Sequence, residues 1–222
     1  MTHTQPIVIS YFTRATPYEK DAAQLKASCE KVGVEYSIEG IDSFGKWHEH
    51  ICYKPTFIHQ KLKELKRPLL WVDADGELVQ KPILFSTLDC DLSLRCFDQL
   101  PPDHPCYLLT STVYFNYNPI TLSLTQLWAE ECRRALQETP NLEISDQVTL
   151  QSVLATTPHH FHPLPPGYAA LFEEKLPADQ LFIVQHQASR LYKKLINQEV
   201  ASALFDTLSL EELRQLRPKL LS

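Results

Sequence analysis

The chain has 222 residues, 44% of them apolar and 22% charged, and its 27 acidic and 21 basic residues leave a formal charge of −6. That composition excludes a disordered chain, and it argues against a binder that works by broad attraction to nucleic-acid phosphates, while leaving room for a local basic pocket. Glycine is scarce at 5 residues, and neither GxGxxG nor GxxxxGKS/T occurs, so the usual dinucleotide and P-loop signatures are missing.

Pro6-Ile7-Val8-Ile9-Ser10-Tyr11-Phe12 is β-branched and aromatic and predicts a buried strand. Thr16-Pro17-Tyr18-Glu19 then reads as a capping box: Thr16 caps, Pro17 takes the first helical position and Glu19 reaches back. Tyr18, Ala22, Leu25, Cys29 and Val32 make the apolar stripe of that helix, and Gly33 ends it. Val34 to Ile41 predicts a second strand. Ser43 to Tyr53 has no clean period and predicts a loop. The next helix is expected to start near Lys54-Pro55, with Phe57, Ile58, Leu62 and Leu65 on one side. Pro68-Leu69-Leu70-Trp71-Val72 predicts a third strand that runs straight into Asp73-Ala74-Asp75-Gly76. The order β-α-β-α-β with short connections predicts an α/β fold with a parallel sheet and helices on its faces.

The second half is less regular. Leu92 to Phe97 and Tyr107 to Asn116 predict strands. Leu122, Leu127, Trp128, Ala135 and Leu136 predict a long helix that stops before Pro140. Ser145 caps another, with Val148, Leu150, Val153 and Leu154 as its apolar positions. Residues 158–168 predict loop plus a short strand, and Leu181-Phe182-Ile183-Val184 predicts a late strand. The tail from Leu191 reads as helical.

No segment approaches the ~20 apolar residues that span a bilayer, and Ile7-Val8-Ile9 is too short for a signal-peptide core. The 6 cysteines include no CxxC pair, which predicts reduced, mostly buried thiols and a cytoplasmic protein. His159-His160-x-His162 lies in a proline-rich stretch with no acidic partner nearby and is expected to be structural or exposed.

Asp73-Ala74-Asp75 carries the most chemistry. Two carboxylates alternate at the carboxyl end of a hydrophobic strand, the edge where open α/β sheets bind ligands. Anionic oxygens there suit Mn²⁺ or Mg²⁺. The plain alternative is a turn, with Asp73 bonding the local backbone.

Two chemistries use such a pair. Trp71-Val72-Asp73-Ala74-Asp75-Gly76-Glu77-Leu78 resembles the first motif of haloacid-dehalogenase-like phosphatases. Glu77 stands where those enzymes have Thr, however, the motif follows the third strand rather than the first, and no later acidic motif completes their site. The whole chain from 7 to 195 resembles the GT-A glycosyltransferases of the nucleotide-diphospho-sugar transferase-like type. The strings that carry the likeness include Tyr11-Phe12-Thr13-Arg14-Ala15-Thr16-Pro17-Tyr18, Gly45-Lys46-Trp47 and Lys54-Pro55-Thr56-Phe57-Ile58. They continue with Trp71-Val72-Asp73-Ala74-Asp75, Thr112-Val113-Tyr114-Phe115-Asn116, Asp146-Gln147 and His186-Gln187-Ala188-Ser189-Arg190.

The resemblance implies a single GT-A, Rossmann-like domain with a mixed, mostly parallel central sheet and helices on both faces. It implies a nucleotide-sugar-binding half at about 1–98, an acceptor half at about 99–195 and a helical tail at about 196–222. It further implies a metal-dependent glycosyltransferase that takes a sugar from a nucleotide-diphosphate sugar, a UDP sugar by analogy, to an acceptor the sequence does not identify. Tyr11 and Thr13 would meet the base and ribose. Asp73, Asp75 and His186 would hold the metal, with Asp73 also facing the ribose. Lys54 would contact phosphate or ribose, and Arg190 and Lys193 would neutralise the donor phosphates. Asp146 and Gln147 would stand beside the transferred sugar as the catalytic pair, and Trp47 would sit on a loop able to cover the donor. The phosphatase, and a non-catalytic nucleotide-sugar-binding relative, remain the alternatives.

Overall fold

The computed structural model describes residues 5–139, 144–190 and 192. In chain order the elements are β1 (Ile7–Thr13), α1 (Tyr18–Val32), β2 (Tyr36–Ile41), α2 (Trp47–Leu65), β3 (Leu69–Val72), β4 (Gly76–Leu78), β5 (Leu92–Cys96) and β6 (Leu108–Phe115). Then follow α3 (Pro119–Glu138), α4 (Asp146–Thr156), β7 (Phe161–Pro163), β8 (Ala170–Leu171) and β9 (Ile183–Gln185).

The central sheet has six strands in the order β2-β1-β3-β6-β5-β7. β1 runs parallel to β2 and β3, and β5 parallel to β7. Only β6 is reversed, lying antiparallel between β3 and β5. The sheet is therefore mixed and mostly parallel, as expected. Side chains alternate across it with the strand period of two. Ile7, Ile9, Leu69, Trp71, Val113 and Phe115 face a core closed by α2, α3 and α4, through Phe57, Ile58, Leu124, Trp128 and Leu150. Val8, Leu70, Val72 and Tyr114 face the opposite core, closed by Ala22, Leu25 and Cys29 of α1 and by Leu78 and Ile183. Burial on both faces explains why Leu69-Leu70-Trp71-Val72 reads as an unbroken apolar run. A small second sheet, β4-β9-β8, lies on the α1 side. Its strands have two or three residues, too few to show a period in sequence.

Three local expectations need correction. The Thr16 cap does not form. The chain turns through Ala15 at a φ of 56°, and the Thr16 hydroxyl donates instead to Thr13 O at 2.6 Å. Glu19 accepts from Ala15 N at 3.0 Å, one residue before the expected partner. The expected loop 43–53 is half helix, because α2 begins at Trp47 with Lys46 N donating to Glu49 Oε2 at 2.5 Å. Pro55 thus lies inside a helix rather than at its start. Burial of His48, His50, Cys52, Phe57, Ile58 and Leu62 outweighs the missing proline N–H. Ser145 stands at the N-cap of α4, but its side chain makes no capping bond.

Other details hold. Gly33 closes α1 in the left-handed conformation at a φ of 66°, with Val34 N donating to Cys29 O at 3.0 Å. Cys29, Cys52, Cys90 and Cys132 are buried free thiols, with Cys96 half-buried and Cys106 exposed. His160 and His162 are exposed. Among the described residues, no helix is long and apolar enough to cross a membrane.

Candidate active site

Asp73-Ala74-Asp75-Gly76 forms the turn that the sequence allowed. It is a turn between β3 and β4, with Gly76 N donating to Asp73 O at 2.8 Å. A Cβ at Gly76 would lie 2.4 Å from Val72 Cγ1 and 3.0 Å from Asp73 O, so only glycine lets the chain fold back this tightly. The turn also delivers both carboxylates to a cavity of about 260 Å³ at the carboxyl edge of β1 and β3. Tyr11, Thr13, Lys54, Asp146 and Gln147 share its lining. Residues spread from Tyr11 to Gln147 in sequence thus converge on one cleft.

Lys54 sits at the centre of the charges. Its Nζ lies 2.7 Å from Asp146 Oδ2, 3.0 Å from Asp73 Oδ1 and 3.3 Å from Thr110 O. Those three acceptors match the three donors of an ammonium. Burial opposes its charge, yet Asp146 and Asp73 outweigh burial and hold its pKa above the ordinary lysine value. Lys54 therefore braces two carboxylates at the wall of the cavity. The long α2, beginning at Trp47, carries it into the interior.

Each carboxylate is fixed by a second group. Trp71 Nε1 donates to Asp73 Oδ1 at 2.7 Å; Trp71 and Asp73 lie on the same face of β3, two residues apart. Thr110 Oγ1 donates to Asp146 Oδ2 at 3.0 Å. Trp128 Nε1 donates to Asp146 O at 3.0 Å and holds the first turn of α4 against α3. Asp75 Oδ2 accepts a short bond from Ala188 N, after β9. Burial pushes the Asp73 carboxyl up, Lys54 pulls it back, and Asp75 and Asp146 push it up again, leaving it above the ordinary value. Three carboxylates against one ammonium give the cavity an excess of negative charge.

Other expected residues are placed differently. Tyr11 is buried, and its hydroxyl donates to His50 O at 2.5 Å while its ring packs on Tyr53, Phe57 and Trp71. Its polar end is used internally, so Thr13 is the better placed of the two to meet a ligand. His186 does not join the two aspartates: its Nε2 lies 3.0 Å from Glu77 Oε2, a cross-strand contact between β4 and the end of β9. Arg190 pairs with Glu173 at 2.8 Å, away from the cavity. Lys193 and the expected helical tail lie outside the described residues. Gln147 reaches the cavity, and its Nε2 donates to Pro105 O at 2.8 Å, tying α4 to the loop before β6. Trp47 also lines the cavity, with Nε1 3.3 Å from Tyr18 Oη. Sequence reasoning missed Trp71, Thr110 and Trp128. Of these, Trp71 alone carried a signal, its position two residues before Asp73.

The donor set can be tested for a cation. Among the described residues, no cluster of three or more His, Cys, Asp and Glu is arranged around a metal ion. Asp73 and Asp75 nevertheless both line a net negative cavity. That combination fits a hard cation shared with a ligand's own oxygens rather than an all-protein cage.

No protein-family model matches the sequence, and no curated protein matches it. Solved structures match its fold. One is a glycosyltransferase involved in the glycosylation of the major capsid of PBCV-1, at 13% identity and a TM-score of 0.62, covering 95% of this chain and 100% of that one. Another is the glycosyltransferase GlyE of Streptococcus pneumoniae TIGR4, at 13% identity and a TM-score of 0.57, covering 98% of this chain. The chain spans 65% of the length of GlyE. At such identity the likeness is one of architecture, and this chain carries a glycosyltransferase fold.

Proposed function

We propose that this protein is a GT-A glycosyltransferase that moves a sugar from a nucleotide-diphosphate sugar, a UDP sugar, to an acceptor hydroxyl. The observation that carries the reading is the convergence of Asp73, Asp75 and Asp146 with Lys54 in one cavity at the carboxyl edge of β1 and β3. The fold shared with glycosyltransferases supports it.

In this reading Thr13 meets the nucleoside. Asp73 and Asp75 would hold Mn²⁺ or Mg²⁺, and the cation would supply neutralising charge at the leaving group. Lys54 keeps Asp73 and Asp146 in register. Asp146, held by Lys54 and Thr110, faces the sugar, and Gln147 shapes the acceptor side with the loop it anchors at Pro105. The bond from the sugar carbon to the diphosphate breaks, the diphosphate takes its electron pair, and the acceptor oxygen bonds that carbon and gives its proton to the departing diphosphate. Arg190 joins the phosphates only on leaving Glu173, and His186 joins the metal only on leaving Glu77.

The phosphatase alternative is less well supported. It needs Asp75 as a mobile general acid, and Asp75 is buried and bonded to Ala188 N. A crystal soaked with Mn²⁺ and UDP tests the proposal. Density bridging Asp73, Asp75 and a diphosphate is expected. Nucleotide bound elsewhere, or none, contradicts it.

A further inference from the structure

One wall of the cavity is a loop that an imidazole of the following helix holds at three atoms. Ser43, Trp47 and His50 all line the cavity. His50 lies in the first turn of α2, buried, and bonds three atoms of the loop that precedes the helix. Its Nδ1 is 2.8 Å from Lys46 O. Its Nε2 is 3.2 Å from Phe44 N and 3.4 Å from Ser43 Oγ. A backbone carbonyl only accepts, so Nδ1 carries the proton, and a backbone N–H only donates, so Nε2 is bare. The neutral Nδ1–H tautomer is the one form that satisfies all three partners. The Phe44 ring lies against the imidazole, with centroids 4.4 Å apart. From beneath, Tyr11 Oη donates to His50 O and fixes this turn to β1.

We propose that His50 is a positioning residue that fastens loop 43–46 as a wall of the donor cavity, and that protonation of its imidazole releases the loop and weakens donor binding. This deepens the glycosyl-transfer reading and rests on it for the identity of the ligand. A proton on Nε2 would face the Phe44 N–H, setting donor against donor and breaking that bond, while the Ser43 hydroxyl, which accepts as well as donates, keeps its contact. Among the groups around it, Glu49 on α2 favours the proton and His48 opposes it. Tyr11 from β1, with Phe44 and Tyr53, presents uncharged groups. Burial pushes the imidazole below the ordinary histidine value, so the fastened form prevails at neutral pH.

The test compares wild type, His50→Gln and His50→Ala by titration with UDP in the presence of Mn²⁺, at about pH 7.5 and about pH 5. The glutamine amide oxygen can accept from Phe44 N and does not titrate. Effects of pH on UDP and on the cavity carboxylates are common to all three proteins. Wild type is expected to lose on the order of tenfold more affinity than His50→Gln between the two pH values, with His50→Ala weak at both. Equal losses in wild type and His50→Gln, or wild-type affinity in His50→Ala, overturn the proposal. Amide exchange at Phe44 is read without nucleotide. Protection in wild type and His50→Gln but not in His50→Ala sustains the fastening even if UDP binds none of them, an outcome that removes only the donor reading. An unprotected Phe44 in wild type removes the fastening itself.

Discussion

Lys54 Nζ lies 2.7 Å from Asp146 Oδ2, joining the middle of α2 to the first residue of α4 inside the protein. Both side chains are buried, so each charge depends on the other. Lys54→Met would strip the cation from two carboxylates at once. Chemical denaturation is expected to show a loss of ~3–5 kcal/mol, the cost of breaking a buried ion pair from one side. Lys54→Met combined with Asp146→Asn is expected to recover part of that loss. Additive losses in the double variant contradict the pairing.

Two glycines separate a stability effect from a site effect. Gly33→Ala places a Cβ in open space at a φ of 66° and costs only backbone strain, ~1–2 kcal/mol. UDP affinity is expected to be unchanged. Gly76→Ala drives a Cβ to 2.4 Å from Val72 Cγ1 and must displace the turn that carries Asp75. It is expected to weaken UDP binding by more than its effect on unfolding predicts. Equal UDP affinity in the two variants would show that the turn geometry does not matter to the ligand.

Trp128 ties the start of α4 to α3 through bonds from Nε1 to Asp146 O and to Thr149 Oγ1, at 3.0 and 3.1 Å. Trp128→Phe keeps most of the apolar surface and removes the donor. A loss of ~1–3 kcal/mol is expected from the partners left unsatisfied. Turnover is expected to fall more than donor affinity, because Asp146 shifts while Asp73 and Asp75 do not. A fall in donor affinity alone would place Asp146 on the wrong side of the site.

Stability should also depend on pH in a defined direction. Burial lowers the pKa of both His50 and His59 in the folded chain. The unfolded chain therefore takes up more protons as pH falls below the ordinary histidine value of about 6.5. Their contribution is complete above that value and is lost as pH falls through the window down to the lowered folded values. Urea midpoints measured from neutral to mildly acid pH should decrease, and His50→Gln should flatten part of the decrease. A midpoint that rises on acidification contradicts the burial of both rings.

The sequence exposed much of this architecture, for identifiable reasons. The strands β1 and β3 are buried on both faces, so their apolar runs were continuous and unmistakable. Asp73 and Asp75 stood out because polar residues end such a run abruptly. The start of α2 was obscured by Pro55, which ordinarily marks a first turn and here lies within a helix. That misplacement set Lys54 at a helix start, whereas it lies buried within α2. β8, with two residues, and β4, with three, are set by pairing with β9, which leaves no local trace. The pairing of His186 with Glu77 joins positions 109 apart, and that of Arg190 with Glu173 spans 17, and no pattern along the chain predicts either.

Titration calorimetry of UDP into the wild-type protein and Asp75→Asn, each with and without Mn²⁺, tests the central claim most directly. Wild type is expected to bind UDP with an affinity that rises at least about tenfold when Mn²⁺ is present, and Asp75→Asn is expected to lose that rise. Absence of UDP binding in wild type, or equal binding with and without Mn²⁺, would contradict a metal-dependent nucleotide-sugar site at Asp73 and Asp75.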